Sequence, residues 1–317
     1  MRKKLLLLLN MSILLAFLFL SKTVKAQLSL SNYLPYIVKP RLSTNTPTPT
    51  PTFTSTPLPT ETPTGIVGVI VDHTSLSSFP SIPATYLQAA AALDTLFMHA
   101  SVGNNIDYLG LQCLAGLQAD PVMPEECLTY AEHPYDPYDN RNWNWRFWDN
   151  PVSDAIAKTD QWVSVVNAEQ QNYQVLGMKF CYVDSWNQDF TYYRTHMEQL
   201  VQAYPQKTFI WATQVLYPKS SMDTDPSILQ QAQNIQDFNQ QLRAYAQANN
   251  IFLYDLADIE SHEPNGNYCQ SNNVEALCDD YIDGWGGGGG HPDAEASLRL
   301  AKGFWYLMAR IAGWENK

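Results

Sequence analysis

From residue 93 onward the chain alternates short apolar runs with amphipathic stretches of helical spacing. Leu93–Met98 is an apolar run of strand length, and Ile106–Leu117 repeats apolar residues at helical intervals. Gln174–Val183 and Thr208–Val215 predict two more strands, and Ile251–Tyr254 a fourth. Helices are predicted over Arg194–Tyr204, Ile228–Asn249 and Asp293–Ala312, the last with Leu298, Ala301, Trp305, Met308 and Ala312 on one face. Strands alternating with helices imply a parallel sheet covered on both sides, an α/β domain of three layers. Ligands of such sheets bind at the carboxyl ends of the strands, so the reactive side chains there matter most. The stretch Tyr130–Trp148 is polar and Pro-rich and predicts a long surface loop over those ends, with Trp143 and Trp145 as sugar-stacking platforms or the loop as a structural flap.

The pattern changes before residue 65. Residues 1–26 join a basic start, an apolar run and Val24-Lys25-Ala26, which predicts a signal peptide or an N-terminal membrane anchor. Residues 27–64 hold the alternation TPTPTPT and bury little, so they are expected to be a disordered stalk. Residues 65–317 are left for one domain. The formal net charge is −12. Loss of residues 1–26 removes five of the 19 basic residues and none of the 31 acidic ones, so the mature chain carries 14 against 31, a net −17. That charge excludes nucleic acid and anionic membrane surfaces as partners, beyond a tether through the N-terminus. The predicted location is outside the cytoplasm. Short-loop disulfides Cys113–Cys127 and Cys269–Cys278 fit an oxidising space, with Cys181 a buried free thiol. Cysteine and histidine spacing suggests no structural zinc, and no cofactor is expected.

Two segments carry candidate chemistry. The first predicted strand runs through Leu96-Phe-Met-His-Ala-Ser101 and turns at Gly103 into a helix near Asn105. Ser101 at that junction is either a helix N-cap or a nucleophile whose oxyanion would meet free backbone N–H groups. Near the other end, Asp283-Gly-Trp and five glycines lead to His291-Pro-Asp293 and the final helix. His291 is a surface loop residue or a general base reaching a neighbouring strand end, with Asp283 to orient its imidazole. His99, two residues before Ser101, shares its strand face or simply packs there. Asp184 ends an apolar strand and could bind substrate. Asp255, Asp258, Glu260 and His262 could ligate a metal, or cap a strand end and a helix start.

The motif His99-Ala-Ser101-Val-Gly103-Asn-Asn105, with Lys179-Phe-Cys-Tyr-Val-Asp184, Tyr254–His262 and the closing His291-Pro, resembles an exported branch of the SGNH/GDSL hydrolase superfamily over roughly residues 66–317. The resemblance implies a flavodoxin-like α/β/α fold and an esterase acting on short acyl, chiefly acetyl, esters, with acylated polysaccharide a substrate class. It maps the nucleophile to Ser101 and the base to His291. The chain departs from the family pattern in three places. His99-Ala100 stands for the usual Gly-Asp, and Gly288 for the usual acid three residues before the histidine. Cys181-Tyr-Val-Asp184 stands for Gly-x-Asn-Asp. Asp283 is then the expected acid. Asn105, or else Asn187, is the expected side-chain oxyanion donor, beside the backbone N–H groups of Ser101 and Gly103. The competing readings are a non-catalytic carbohydrate-binding module on a degenerate fold and a metal-dependent hydrolase using residues 255–262.

Overall fold

The computed structural model describes residues 68–117, 123–148, 154–282 and 290–316. The predicted signal and stalk lie outside the described residues, as does Asp283. Six strands form the main sheet: β1 Ile70–Val71, β2 Thr95–His99, β3 Trp143–Phe147, β4 Val175–Met178, β5 Thr208–Ala212 and β6 Phe252–Tyr254. Every pairing is parallel, in the order β1-β6-β5-β4-β2-β3. Without the two-residue edge strand β1, the remaining strands run 2-1-3-4-5 by position in the chain, which is the flavodoxin-like order. The sheet therefore reverses direction of winding between β2 and β4, and a crevice at their carboxyl ends is the expected ligand site.

Among the described residues, the five longest α-helices are α1 Ala84–Ala91, α2 Ala155–Glu169, α3 Phe190–Ala203, α4 Pro226–Asn249 and α5 Ala294–Ile311. Strand alternation sorts the core into two layers. Phe97 of β2 faces a cluster with Leu87 and Ala90 of α1 and Phe304 and Trp305 of α5. Leu96 and Met98 face the opposite cluster with Trp162 of α2, Met197 of α3 and Leu242 of α4. The acidic composition has a local use here. Asp154, Asp189, Asp225 and Asp293 precede α2, α3, α4 and α5, and each carboxylate accepts from a backbone N–H of the first turn. A cap of this kind is worth about 1 kcal/mol.

The structure corrects the reading of Tyr130–Trp148. Trp143–Phe147 is not loop but the edge strand β3, paired along its length with β2. Trp143 is buried, donates Nε1–H to the Ala90 carbonyl at 3.2 Å, and packs 4.2 Å from Trp305. Trp145 stacks 4.7 Å from Phe97. Trp143 belongs to the core and Trp145 is half-buried against it, so the two do not form a platform on an open loop. The predicted strand 174–183 is shorter than expected, ending at Met178 and giving way to a 3-10 turn over Tyr182–Asn187. The two disulfides join Cys113 to Cys127 and Cys269 to Cys278, and Cys181 is free and buried. Among the described residues, no helix is long and apolar enough to cross a membrane.

Candidate active site

Ser101 stands at the carboxyl end of β2 with φ 52° and ψ −109°. A left-handed φ is costly for a residue with a Cβ, on the order of 1–3 kcal/mol, and is kept only where surrounding contacts enforce it. Ser101 occupies the N-cap position of the turn Val102–Asn105, yet its side chain makes no capping bond. Instead Oγ lies 2.6 Å from His291 Nε2. A serine spent on its own helix would not reach out to a histidine 190 positions away.

Both partners are held from several sides. The Ala100 carbonyl, just before the serine, accepts from the Gly103 N–H at 3.0 Å and from Lys179 Nζ at 2.9 Å. Lys179 is fully buried beneath the turn, and burial pushes its amine below the usual lysine range. Gly103 lies against the His99 ring; a Cβ there would sit 2.4 Å from His99 Cβ, so only glycine fits. On the other side, Asn105 Nδ2–H donates to the Pro292 carbonyl at 3.0 Å. Pro292 also bridges Ile282, the Asp293 N–H donates to the Tyr281 carbonyl at 2.7 Å, and Asp293 caps α5. The helical segment after Ser101 packs directly on α5: Gly110 approaches so closely that a Cβ would lie 2.3 Å from the Ser297 carbonyl oxygen. This helix-to-helix contact brings residues 101 and 291 together.

The other predicted site residues are placed differently. His99 is buried between Trp145 and Phe147, and burial, aided by the nearby Lys179 charge, lowers its imidazole to about 3. It is a neutral packing group of the strand end. Asp184 is fully buried; its carboxylate accepts two bonds from Lys158 Nζ, at 2.6 and 2.8 Å, and one from the Cys181 N–H at 2.8 Å. It shapes the turn after β4 and does not face a substrate. Asn187 accepts from the Ala155 N–H and donates to Asp154, at the start of α2. Three of the four expected oxyanion donors are thus committed elsewhere: the Asn105 amide to Pro292, Asn187 to α2, and the Gly103 N–H to Ala100.

The residues 255–262 do not converge as one ligand set. Asp255 is clamped by Arg243 at 2.6 and 2.8 Å, and Glu260 accepts from the Leu216 N–H at 2.7 Å. Asp258 and His262 instead meet His73, their ligand-type atoms lying within 4.8 Å of one another. The two imidazoles stack face to face at 3.6 Å, with both Nδ1 atoms turned to Asp258. The ring planes are nearly parallel, so the in-plane lone pairs of the two imidazoles lie in separate planes and do not meet at one point. The cluster lies by β1, four strands from β2, about 19 Å across the sheet. Two surface cavities of about 590 Å³ are lined by residues such as Arg243 and Tyr268, and Asp293 and Lys302; neither is lined by Ser101 or His291.

Sequence reasoning missed Lys179, Lys158 and Tyr182. The first two were visible only as cations beside an apolar run. The Tyr182 ring lies 6.2 Å from that of His291.

No family model matches the sequence, and no curated protein is similar to it. Solved structures do align. One is a protein assigned to the lipolytic G-D-S-L family from Desulfitobacterium hafniense, at 10% identity and TM-score 0.41, covering 68% of this chain and 99% of that one. A second, assigned as an acylhydrolase, is from Bacteroides fragilis, at 16% identity and TM-score 0.42, covering 68% and 90%. A third is a catalytic mutant of an acetylxylan esterase from Geobacillus stearothermophilus, at 14% identity and TM-score 0.37, covering 71% and 95%. The chain is similar to these hydrolases. At such scores the likeness decides nothing about chemistry, which rests on the geometry of Ser101 and His291.

Proposed function

We propose that the chain is an exported serine esterase of the SGNH/GDSL kind, hydrolysing short acyl esters, with acetyl groups on carbohydrate the expected class. The observation that supports this most is the 2.6 Å contact between Ser101 Oγ and His291 Nε2 at the switch point of the sheet. Ser101 attacks the ester carbonyl carbon as His291 Nε2 takes the Oγ proton. Collapse of the tetrahedral intermediate expels the alcohol, which receives that proton from His291. Water, deprotonated by the same imidazole, then attacks the acyl-serine, and His291 returns that proton to Ser101 Oγ as the carboxylic acid leaves. We assign the orienting acid to Asp283, which precedes His291 in the same loop. The Ser101 backbone N–H is assigned to the oxyanion. A binding-module reading loses one of its supports with Trp143 buried and Trp145 half-buried against Phe97.

The test is labelling of the chain from residue 65 onward with a fluorophosphonate probe, alongside aryl acetate hydrolysis. Ser101→Ala should abolish labelling. Ser101→Ala and His291→Ala should each lower kcat by at least about 10⁴-fold, and Asp283→Asn by less. Labelling that persists in Ser101→Ala overturns the assignment.

A further inference from the structure

We propose that Lys179 is a positioning residue of this site: its Nζ–H takes over the last ladder bond of β2 and so holds the Ala100–Ser101 peptide in the orientation that turns Ser101 toward His291. The inference rests on the serine-esterase reading above. In the parallel ladder between β2 and β4, the Lys179 backbone N–H donates to the Met98 carbonyl at 3.1 Å. The next carbonyl on that side belongs to Ala100, and a continued ladder would give it the Cys181 N–H. Cys181 does not supply it. Its N–H donates to Asp184 Oδ2 at 2.8 Å as the chain turns away after β4. Lys179 Nζ–H reaches back instead and donates to the Ala100 carbonyl at 2.9 Å. One residue thus fastens β2 twice, by its backbone at Met98 and by its side chain at Ala100.

The exchange of donors matters because the two leave different freedom. A ladder bond from Cys181 would keep the Ala100 peptide in the sheet, with an extended residue after it. An amine on a four-carbon stem lets that peptide leave the sheet while its oxygen stays satisfied. The Gly103 N–H then closes the turn on the same oxygen at 3.0 Å. The Ala100–Ser101 bond is trans, so its C=O and N–H point to opposite sides. With the oxygen drawn in to the buried amine, the Ser101 N–H faces the other way, and φ of Ser101 stands at 52°. Turned over, the peptide would return Ser101 to an extended φ and relieve its strain. The same peptide carries the N–H assigned to the oxyanion, so one bond to its oxygen sets both the serine and its donor. An amine is a costly choice for packing alone. Lys179 is 1% exposed, at a place where an apolar side chain would lose no solvation. It acts through the peptide and not on the substrate.

The experiment is Lys179→Met, which keeps most of the stem and removes the donor. Expected with aryl acetate at 25 °C is a fall in kcat of about 10²-fold, the size that a misplacement near 1 Å produces, with KM changed less than about threefold. The affinity for a trifluoromethyl ketone, which forms a tetrahedral adduct on serine, should fall in parallel. A role in stability alone would lower the melting temperature and leave kcat of the folded protein within about threefold of wild type; that result overturns the proposal. Should Lys179→Met melt early, the group to neutralise is the buried Glu260 carboxyl, whose charge acts on Lys179. The double variant Lys179→Met/Glu260→Gln leaves neither charge of that pair unmatched. Its kcat should lie about 10²-fold below that of Glu260→Gln, and a value within about threefold overturns the proposal. Ser101→Ala tests the underlying reading separately: loss of labelling there, with full activity in Lys179→Met, rejects the positioning role and leaves the esterase standing.

Discussion

At the level of single residues, the site is a serine forced into a backbone conformation that it would not choose, and the forcing groups can be named. Lys179 and the Gly103 N–H both hold the Ala100 carbonyl, and the His99 ring fills the space under Gly103. His99 makes this arrangement sensitive to acid. Its imidazole falls from an ordinary 6.5 to about 3, first through burial and then through Lys179. The folded pKa lies below the unfolded one, so between these values the unfolded chain binds the proton. The contribution of His99 to stability is complete above about pH 6.5 and is lost as pH falls toward 3. Between pH 7 and pH 4.5 this amounts to roughly 2–3 kcal/mol. His99→Gln should destabilise the fold at both pH values. Its urea midpoint should, however, fall less between pH 7 and pH 4.5 than that of wild type; equal slopes would remove His99 from the account. None of this was legible in the sequence beyond the residue types. Ser101 and His291 were visible because each breaks a pattern, one at a strand's end and one after a glycine run. Lys179 and Tyr182 were not, because nothing in a linear stretch shows that a cation will lie under one loop or a phenol beside another.

At the level of elements, the decisive contact is between the helical segment after the serine and the helix after the histidine. Gly110 lets the two backbones approach until a Cβ would overlap the Ser297 carbonyl and press on Ala301. Gly110→Val should push α5 outward and carry His291 with it. Expected is a fall in kcat/KM of at least about 10²-fold, the size that a misplacement near 1 Å produces, while secondary structure by circular dichroism is retained. Activity near wild type in this variant would mean that the His291 loop is placed independently of α5. Strands β2, β4, β5 and β6 and helices α3, α4 and α5 were readable because parallel strands here are apolar on both faces and those helices carry apolar residues at helical spacing, whereas β1, α1 and α2 were not predicted. The failure at β3 has a physical cause of its own. Trp143-Asn-Trp-Arg-Phe147 alternates with period two, as a strand with one covered face does, but its polar positions and the prolines before it disguise it. An edge strand tolerates that composition because one side has no partner. Asp184 misled for a related reason: a carboxylate at a strand's end can serve a substrate, and here it serves Lys158.

For the whole molecule, the two disulfides bracket the two segments that supply the site. Cys113–Cys127 pins the segment just beyond the serine's helical turn, and Cys269–Cys278 pins the chain shortly before the His291 loop. Their sequence separations are 14 and 9. On loop-closure entropy, bridges of that size restrict the unfolded chain by about 3 and about 2.7 kcal/mol. A domain of this kind has a net stability of about 5–15 kcal/mol, so losing both bridges removes a large share of it. The loss is in the unfolded ensemble, not in the contacts of the site, so the two consequences separate. The variant Cys113→Ser/Cys127→Ser should show a urea unfolding free energy lower by about 3 kcal/mol. At 25 °C its kcat on aryl acetate should stay within about twofold of wild type, because Ser101 and His291 are aligned by the Gly110 contact and the Asn105–Pro292 bond, neither of which involves sulfur. Under reductant the wild-type chain should lose urea stability to at least the same extent. An unchanged unfolding free energy in the double variant would mean that the bridge does not constrain the unfolded chain. A collapse of kcat at full stability would mean that Cys113–Cys127 positions the serine segment directly, and the alignment of the site would then depend on the oxidising compartment as much as the survival of the fold does.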